Sequence, residues 1–167
     1  MDTAQLLTDS FARVRELYVD LARDLVRSDT LHERPGGTGN SVAWLLWHVA
    51  RGQDLQVAEL AGAEQQWGTW QQRLGLDNGI DDMGYGHTSE QVDAIRIEEP
   101  ALLVAYHSDV HDMTNRYLSG IDAAELDRVV DEHWDPPVTA GVRLVSVVGD
   151  CLQHLGQVAY VKGILAT

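Results

Sequence analysis

The sequence predicts an all-α fold, a four-helix bundle with a long connection between its second and third long helices. Four long stretches repeat apolar residues at three- and four-residue intervals, the signature of amphipathic helices. No convincing hairpin breaks the pattern. The irregular residues gather mainly in one segment, 62 to 100, long enough to let the chain cross over rather than follow strict up-down order.

The first helix carries Leu7, Phe11, Val14, Tyr18, Leu21 and Leu25 on one face and is expected to stop before Ser28-Asp29. Arg34-Pro35-Gly36-Gly37-Thr38-Gly39 reads as a loop. Asn40 or Ser41 can cap the second helix, which runs to about Ala61, ahead of Gly62. Within the connection, Trp67 and Trp70 suit a short helix. Gly75, Gly79, Gly84 and Gly86, mixed with Asp77, Asn78, Asp81 and Asp82, mark turns, and Ser89 to about Arg96 suits another short helix. Pro100 fits a first helical position and Gly120 a stop, with Leu103, Tyr106, Val110, Met113 and Tyr117 on one face between them. Asp122 and Glu125 resemble a capping box for a short helix to Val129. Pro136-Pro137 enforces a break before the fourth long helix, from about Val142 to Leu165. Its valines favour strand, but more than twenty residues without a turn signal exceed an ordinary strand.

The 167 residues suit a single domain, 1–167, large enough to bury its own core. Hydrophobic residues at 44% and charged residues at 23% read as globular and soluble. A net charge of −14 with no Lys/Arg-rich run argues against nucleic acid as a partner. No apolar stretch reaches about 18 residues and no signal-peptide layout opens the chain, so the expectation is a cytoplasmic protein without a membrane partner. One cysteine, Cys151, supplies neither an internal disulfide nor a multi-cysteine zinc site, and its place on the wheel makes it a small core residue.

Asp150 and His154 stand four residues apart in an otherwise almost wholly apolar run, so on a helix both project the same way. They fall at the edge of that helix's apolar arc, where a groove between helices would lie. His48 falls inside the apolar arc of the second helix, and Gly52, one turn later, leaves room beside it. A divalent metal held by His48, Asp150 and His154 would satisfy all three groups; a buried carboxylate without a partner costs several kcal/mol. Two histidines and one carboxylate suit zinc, nickel or iron(II). The alternatives are a hydrogen-bonded core histidine and an ordinary intrahelical Asp–His pair. A rival pair, His107 and His111, has the same spacing, but both lie off the face centred near Val110 and are expected at the boundary and surface. His32, His87 and His133 receive no role.

Asn40-Ser41-Val42-Ala43-Trp44-Leu45-Leu46-Trp47-His48-Val49-Ala50-Arg51, taken with Asp150-x-x-x-His154-x-Gly156-Gln157-x-x-Tyr160-x-x-Gly163, resembles the DinB/YfiT-like superfamily. Within it the chain is most similar to small actinobacterial proteins related to the N-terminal domain of mycothiol-dependent maleylpyruvate isomerase. Gly84 to His87 and Ala105-Tyr106-His107 also resemble that branch. The resemblance implies that His48 and His154 are metal ligands. Asp150 stands where many members have His and the isomerase branch has Glu, so its carboxylate must reach further. No counterpart of the isomerase's additional C-terminal domain is expected, and isomerase activity is therefore not expected to carry over.

What the resemblance implies is a metal-dependent thiol S-transferase, most naturally using mycothiol as thiol co-substrate against a small electrophile, with homodimer formation as a family trait. The groove would be lined by Trp44, Gln157 and Tyr160, with Gln157 orienting a ligand or water and Trp47 assigned to packing. A metal-assisted hydrolase and a non-catalytic bundle with a weakened metal site are the alternatives.

Overall fold

Helix α1 (Thr3–Ala22) starts in a reciprocal cap: Asp2 accepts the Gln5 amide while the Gln5 side chain accepts the Asp2 amide. This comes from a computed structural model that describes residues 1–23, 25 and 29–166. Arg23 follows the helix; Ser28, before which the helix was expected to stop, lies outside the described residues. Two short 3-10 turns, Asp29–His32 and Pro35–Gly37, lead to α2 (Val42–Ala61), capped by Ser41 and closed by left-handed Gly62. The connection holds α3 (Trp67–Leu74) and α4 (Ser89–Ala94). Then come α5 (Pro100–Leu118), α6 (Ala123–Asp127) and α7 (Ala140–Leu165). The fold is an all-α bundle of the expected kind.

Helices α1 and α2 each pack against both α5 and α7, so the first two long helices occupy opposite corners of the bundle. The Tyr18 hydroxyl reaches across the centre to the carbonyls of Leu46 and Leu103, tying α1 to α2 and α5. Helix α2 departs from the amphipathic pattern: Ser41 through Asp54 are buried without a break. Helices α5 and α7 cover two sides, and the connection covers more of it through Trp67, Leu74, Leu76, Ile95 and Ile97, all buried. The long connection is therefore part of the core.

The short helix expected to reach Val129 ends at Asp127, and two further expectations need correction. A small antiparallel pair exists, β1 (Val129–Asp131) with β2 (Val138–Thr139), in register Val129 to Thr139 and Asp131 to Val138 with an irregularity between. Its strands are too short to show a period, and the β-branched residues flank a turn containing a cis Asp135–Pro136 bond. Helix α7 consequently starts at Ala140, capped by Thr139, two residues earlier than expected.

The second correction is His107, which is fully buried rather than at the boundary. Its ring stacks on Tyr18 with centroids 4.0 Å apart, Arg15 approaches Nδ1 at 3.3 Å and Gln53 approaches Nε2 at 3.3 Å. Burial first, then the Arg15 and His111 charges, holds its pKa well below the ordinary histidine value, so the ring is neutral. The wheel misplaced it because α5 is packed by α1, α2 and α3, which widens its covered arc beyond one stripe. His111, expected nearer the surface, is half-buried. Among the described residues, no helix is long and apolar enough to cross a membrane.

Candidate metal centre

The most heavily buried helix of the bundle, α2, delivers His48 with only 5% of its surface exposed. Facing it, α7 presents Asp150 and His154, both half-buried, one turn apart. The His48 and His154 rings meet edge to face, with centroids 4.5 Å apart. Asp150 lies between their Nε2 atoms: Oδ2 is 3.7 Å from His48 and Oδ1 is 3.4 Å from His154. Among the described residues these three form a group whose ligand atoms all fall within 4.8 Å of one another.

Those separations are long for hydrogen bonds, which centre near 2.9 Å. They match the spacing of neighbouring ligands on an ion, about 3.4 Å for tetrahedral arms of roughly 2.1 Å. The outer nitrogens support the same reading. His48 Nδ1 donates to the Met83 carbonyl, and His154 Nδ1 donates to Gln157 Oε1 at 2.9 Å. A donor at Nδ1 leaves the lone pair on Nε2, so both rings aim an acceptor at the same point. The residues fit a divalent metal.

Electrostatics sort the three groups. Burial lowers the His48 pKa against the opposing pull of the Met83 carbonyl, so the ring is neutral at neutral pH. Interaction with His154 holds the Asp150 carboxyl below its usual value, outweighing burial. Asp150 in turn raises the His154 pKa. His154 would have to shed that proton to bind a cation, so any metal affinity would fall as the pH drops through its pKa.

A loop in the 62–100 connection completes the centre. Trp44 stacks on His48 at 4.8 Å and sends its indole N–H to His87 Nδ1 at 3.2 Å. His87 in turn donates Nε2–H to Asp82 at 2.9 Å, and Asp82 also accepts the Gly84 amide at 2.8 Å. Gly84 has φ +93°, and a Cβ there would lie 2.9 Å from both the Trp44 and Trp47 rings. This glycine is required, because backbone must pass where a side chain cannot. Gly52 is less constrained: a Cβ there would meet Asp150 at 3.7 Å, an ordinary contact.

The loop itself is held by ions under the floor. Arg51, fully buried, donates to the carbonyls of Ile80 at 2.7 Å and Asp82 at 3.1 Å. It pairs with buried Asp54 at 3.3 Å, and Asp54 accepts the amides of Gln66 and Trp67 and the Tyr106 hydroxyl. Arg51 and Asp54 thus join α2 to both ends of the segment that supplies the Met83 carbonyl.

Sequence reasoning assigned no role to His87, Asp82, Arg51 or Asp54. A signal did exist for two of them, since Gly84 to His87 and Arg51 fall in the stretches that carry the family resemblance. Trp44 lines a cavity of about 440 Å³ together with His48, Asp150, His154, Met83 and Tyr85. Gln157 is exposed and holds His154. Tyr160 is 71% exposed and does not line that cavity. Trp47 is fully buried packing, and Cys151 sits in the core, where burial pushes its thiol pKa far up. His32 accepts the Ile97 amide, and His133 is a surface partner of Asp131. A larger, more open cavity of about 1200 Å³ lies by the C-terminal ends of α2 and α5, but Arg128, Glu125 and Tyr117 there are spent on one another.

Bundle and centre together define a class of helical proteins with two histidines and a carboxylate between facing helices. The sequence pattern of the DinB superfamily matches residues 10–158, and the chain belongs to that superfamily, which includes metal-binding enzymes. Among solved structures, a conserved protein from Enterococcus faecalis is 31% identical. That match covers 96% of this chain and 95% of the other, with a TM-score of 0.87. No curated protein matches the chain.

Proposed function

We propose that the chain is a metal-dependent thiol S-transferase that joins a small thiol, mycothiol in the first instance, to a small electrophile. The observation that carries this reading is the convergence of His48 Nε2, His154 Nε2 and an Asp150 oxygen on the wall of a cavity. Three protein donors suit zinc first, with nickel or iron(II) as alternatives, and leave a position for an exchangeable ligand. A divalent ion, when bound, lowers the pKa of a thiol or water reaching it, so that the nucleophile exists at neutral pH.

The chain's own residues do the rest. Met83 and Gln157 hold the two rings in the tautomer that binds, while Trp44 backs the His48 ring and borders the cavity in which an electrophile can lie. Transfer forms one carbon–sulfur bond and breaks the bond from that carbon to its leaving group. The leaving group departs with the electron pair, and the thiol proton passes to water. A cytoplasmic site, where reduced thiols are kept, belongs to this reading.

A homodimer belongs to it as well. Helix α7 turns Val142, Val145, Leu152, Tyr160 and Ile164 to solvent, each at least 40% exposed. Its three charged residues are engaged elsewhere: Arg143 with Glu59 and Asp131, Lys162 with the Leu21 carbonyl, and Asp150 in the centre. An uncharged face on a chain of net charge −14 is where two copies meet with least repulsion. Sedimentation equilibrium should give twice the chain mass of 18.5 kDa, and a monomer at micromolar concentrations removes this element.

The test of the reaction is direct. Zinc-loaded protein with mycothiol and a chloro-aromatic acceptor should give the thioether, chelation should abolish the activity, and re-addition of metal should restore it. Turnover of ester substrates without any thiol requirement would instead make the centre a hydrolase.

A further inference from the structure

We propose that the cavity beside the centre selects an uncharged ligand bearing a flat apolar group, and that Tyr85 is the residue that covers it. The inference rests on the metal-dependent thiol reading above and concerns the space beside the sulfur, where the electrophile's flat group would lie. The aromatic thiols titrated below carry such a group as a tether into that space. Its first support is the wall. Trp44 and Met83 supply apolar surface, Gln56 and Ser146 supply neutral polar groups, and among the described residues no lysine or arginine lines the cavity. A divalent ion, the Asp150 carboxylate and one thiolate sum to zero charge. A second anionic group on the ligand would therefore lose its water with no cation in the wall to replace it.

The second support is Tyr85 itself. It lines the cavity mouth yet is 89% exposed, while its neighbours Gly84 and Gly86 have φ of +93° and +72°. The turn beneath it is pinned. The Met83 carbonyl is held by His48, the Gly84 amide by Asp82, and the Gly84 carbonyl accepts the His87 amide at 3.2 Å. A large aromatic side chain is thus carried on a fixed turn above the donor atoms, without a packing partner of its own in the core. An aromatic residue with two side-chain torsions covers a flat ligand at small entropic cost, and its hydroxyl stays in water. Tyr85 would close over such a group from the cavity mouth, with the rim of Trp44 and Met83 as the apolar border.

Cobalt(II)-loaded full-length chain supplies the test, because sulfur-to-cobalt absorption reports thiol binding without any turnover. Three thiols would be titrated: phenylmethanethiol, 4-(mercaptomethyl)benzoate and 2-mercaptoethanol. The first two differ in one remote carboxylate, and the third lacks the ring. Phenylmethanethiol should bind at least about tenfold tighter than its carboxylate analogue. Tyr85→Ala should weaken phenylmethanethiol by about three- to tenfold while leaving 2-mercaptoethanol within about twofold. Because Tyr85 is exposed, the variant should keep the wild-type circular dichroism and melting temperature. Equal affinity for the carboxylate analogue, or an unchanged phenylmethanethiol affinity in Tyr85→Ala, overturns the inference while the metal centre stands. Absence of the visible cobalt band before any thiol is added overturns the metal reading, and the inference with it.

Discussion

Replacing His48 with Ala is expected to abolish stoichiometric binding of a divalent metal. His48 is one of three convergent donors, and its helix is the most firmly fixed part of the site: buried on all sides, stacked under Trp44 and held at Nδ1 by Met83. Loss of an outer hydrogen-bond partner of a ligand costs roughly 10–100-fold in metal affinity, and loss of the ligand itself should cost more. The matched control is His111→Ala. That residue is half-buried on α5, outside the donor group, and its removal should leave metal affinity within about threefold of wild type, a difference below 1 kcal/mol. Isothermal titration of both apo-variants with zinc reads the difference. A His48→Ala chain that binds zinc as tightly as wild type removes the site assignment.

Arg51→Ala is expected to have the largest effect on stability, about 3–5 kcal/mol, because it leaves the Asp54 carboxyl buried without its counter-charge. Burial already pushes the Asp54 pKa up, against the pull of Tyr106, the Gln66 amide and Arg51. Removing the guanidinium pushes it further and also frees the carbonyls of Ile80 and Asp82. For a domain of this size the melting temperature should fall by about 6–20 °C, read by differential scanning calorimetry of the apo-protein. A second consequence should accompany it: a looser Asp82–Met83–Gly84 turn holds the His48 ring less firmly, so metal affinity should also fall at temperatures where the variant is folded. A melting temperature within 2 °C of wild type would contradict the structural role given to the pair.

Much of the architecture is legible in the sequence because it depends on local chemistry. Ser41 caps α2, Gly62 closes it and Pro100 opens α5, all through the backbone groups a helix end leaves unsatisfied. The His48, Asp150 and His154 group is legible for a related reason. Helical spacing joins two of the residues, and a polar side chain on an apolar arc calls for a partner.

What is not legible depends on which elements pack against which. Arg51 and Asp54, three residues apart, become a buried ion pair only when the 62–100 connection folds over them. His87 lies 39 positions from His48, and only the closure of the loop brings it against Trp44. His107 was misplaced because a wheel centred on Val110 assumes one covered face, whereas Tyr18 of α1 lies across the His107 ring. The β1–β2 pair escaped because three residues and two show no periodicity.

Metal analysis of the purified chain, prepared without chelator, tests the central claim most directly. The account predicts about one equivalent of divalent metal per chain, removed by chelation or at acid pH and restored by reloading. A chain that stays folded yet holds no stoichiometric divalent metal, even after reloading at neutral pH, would contradict it.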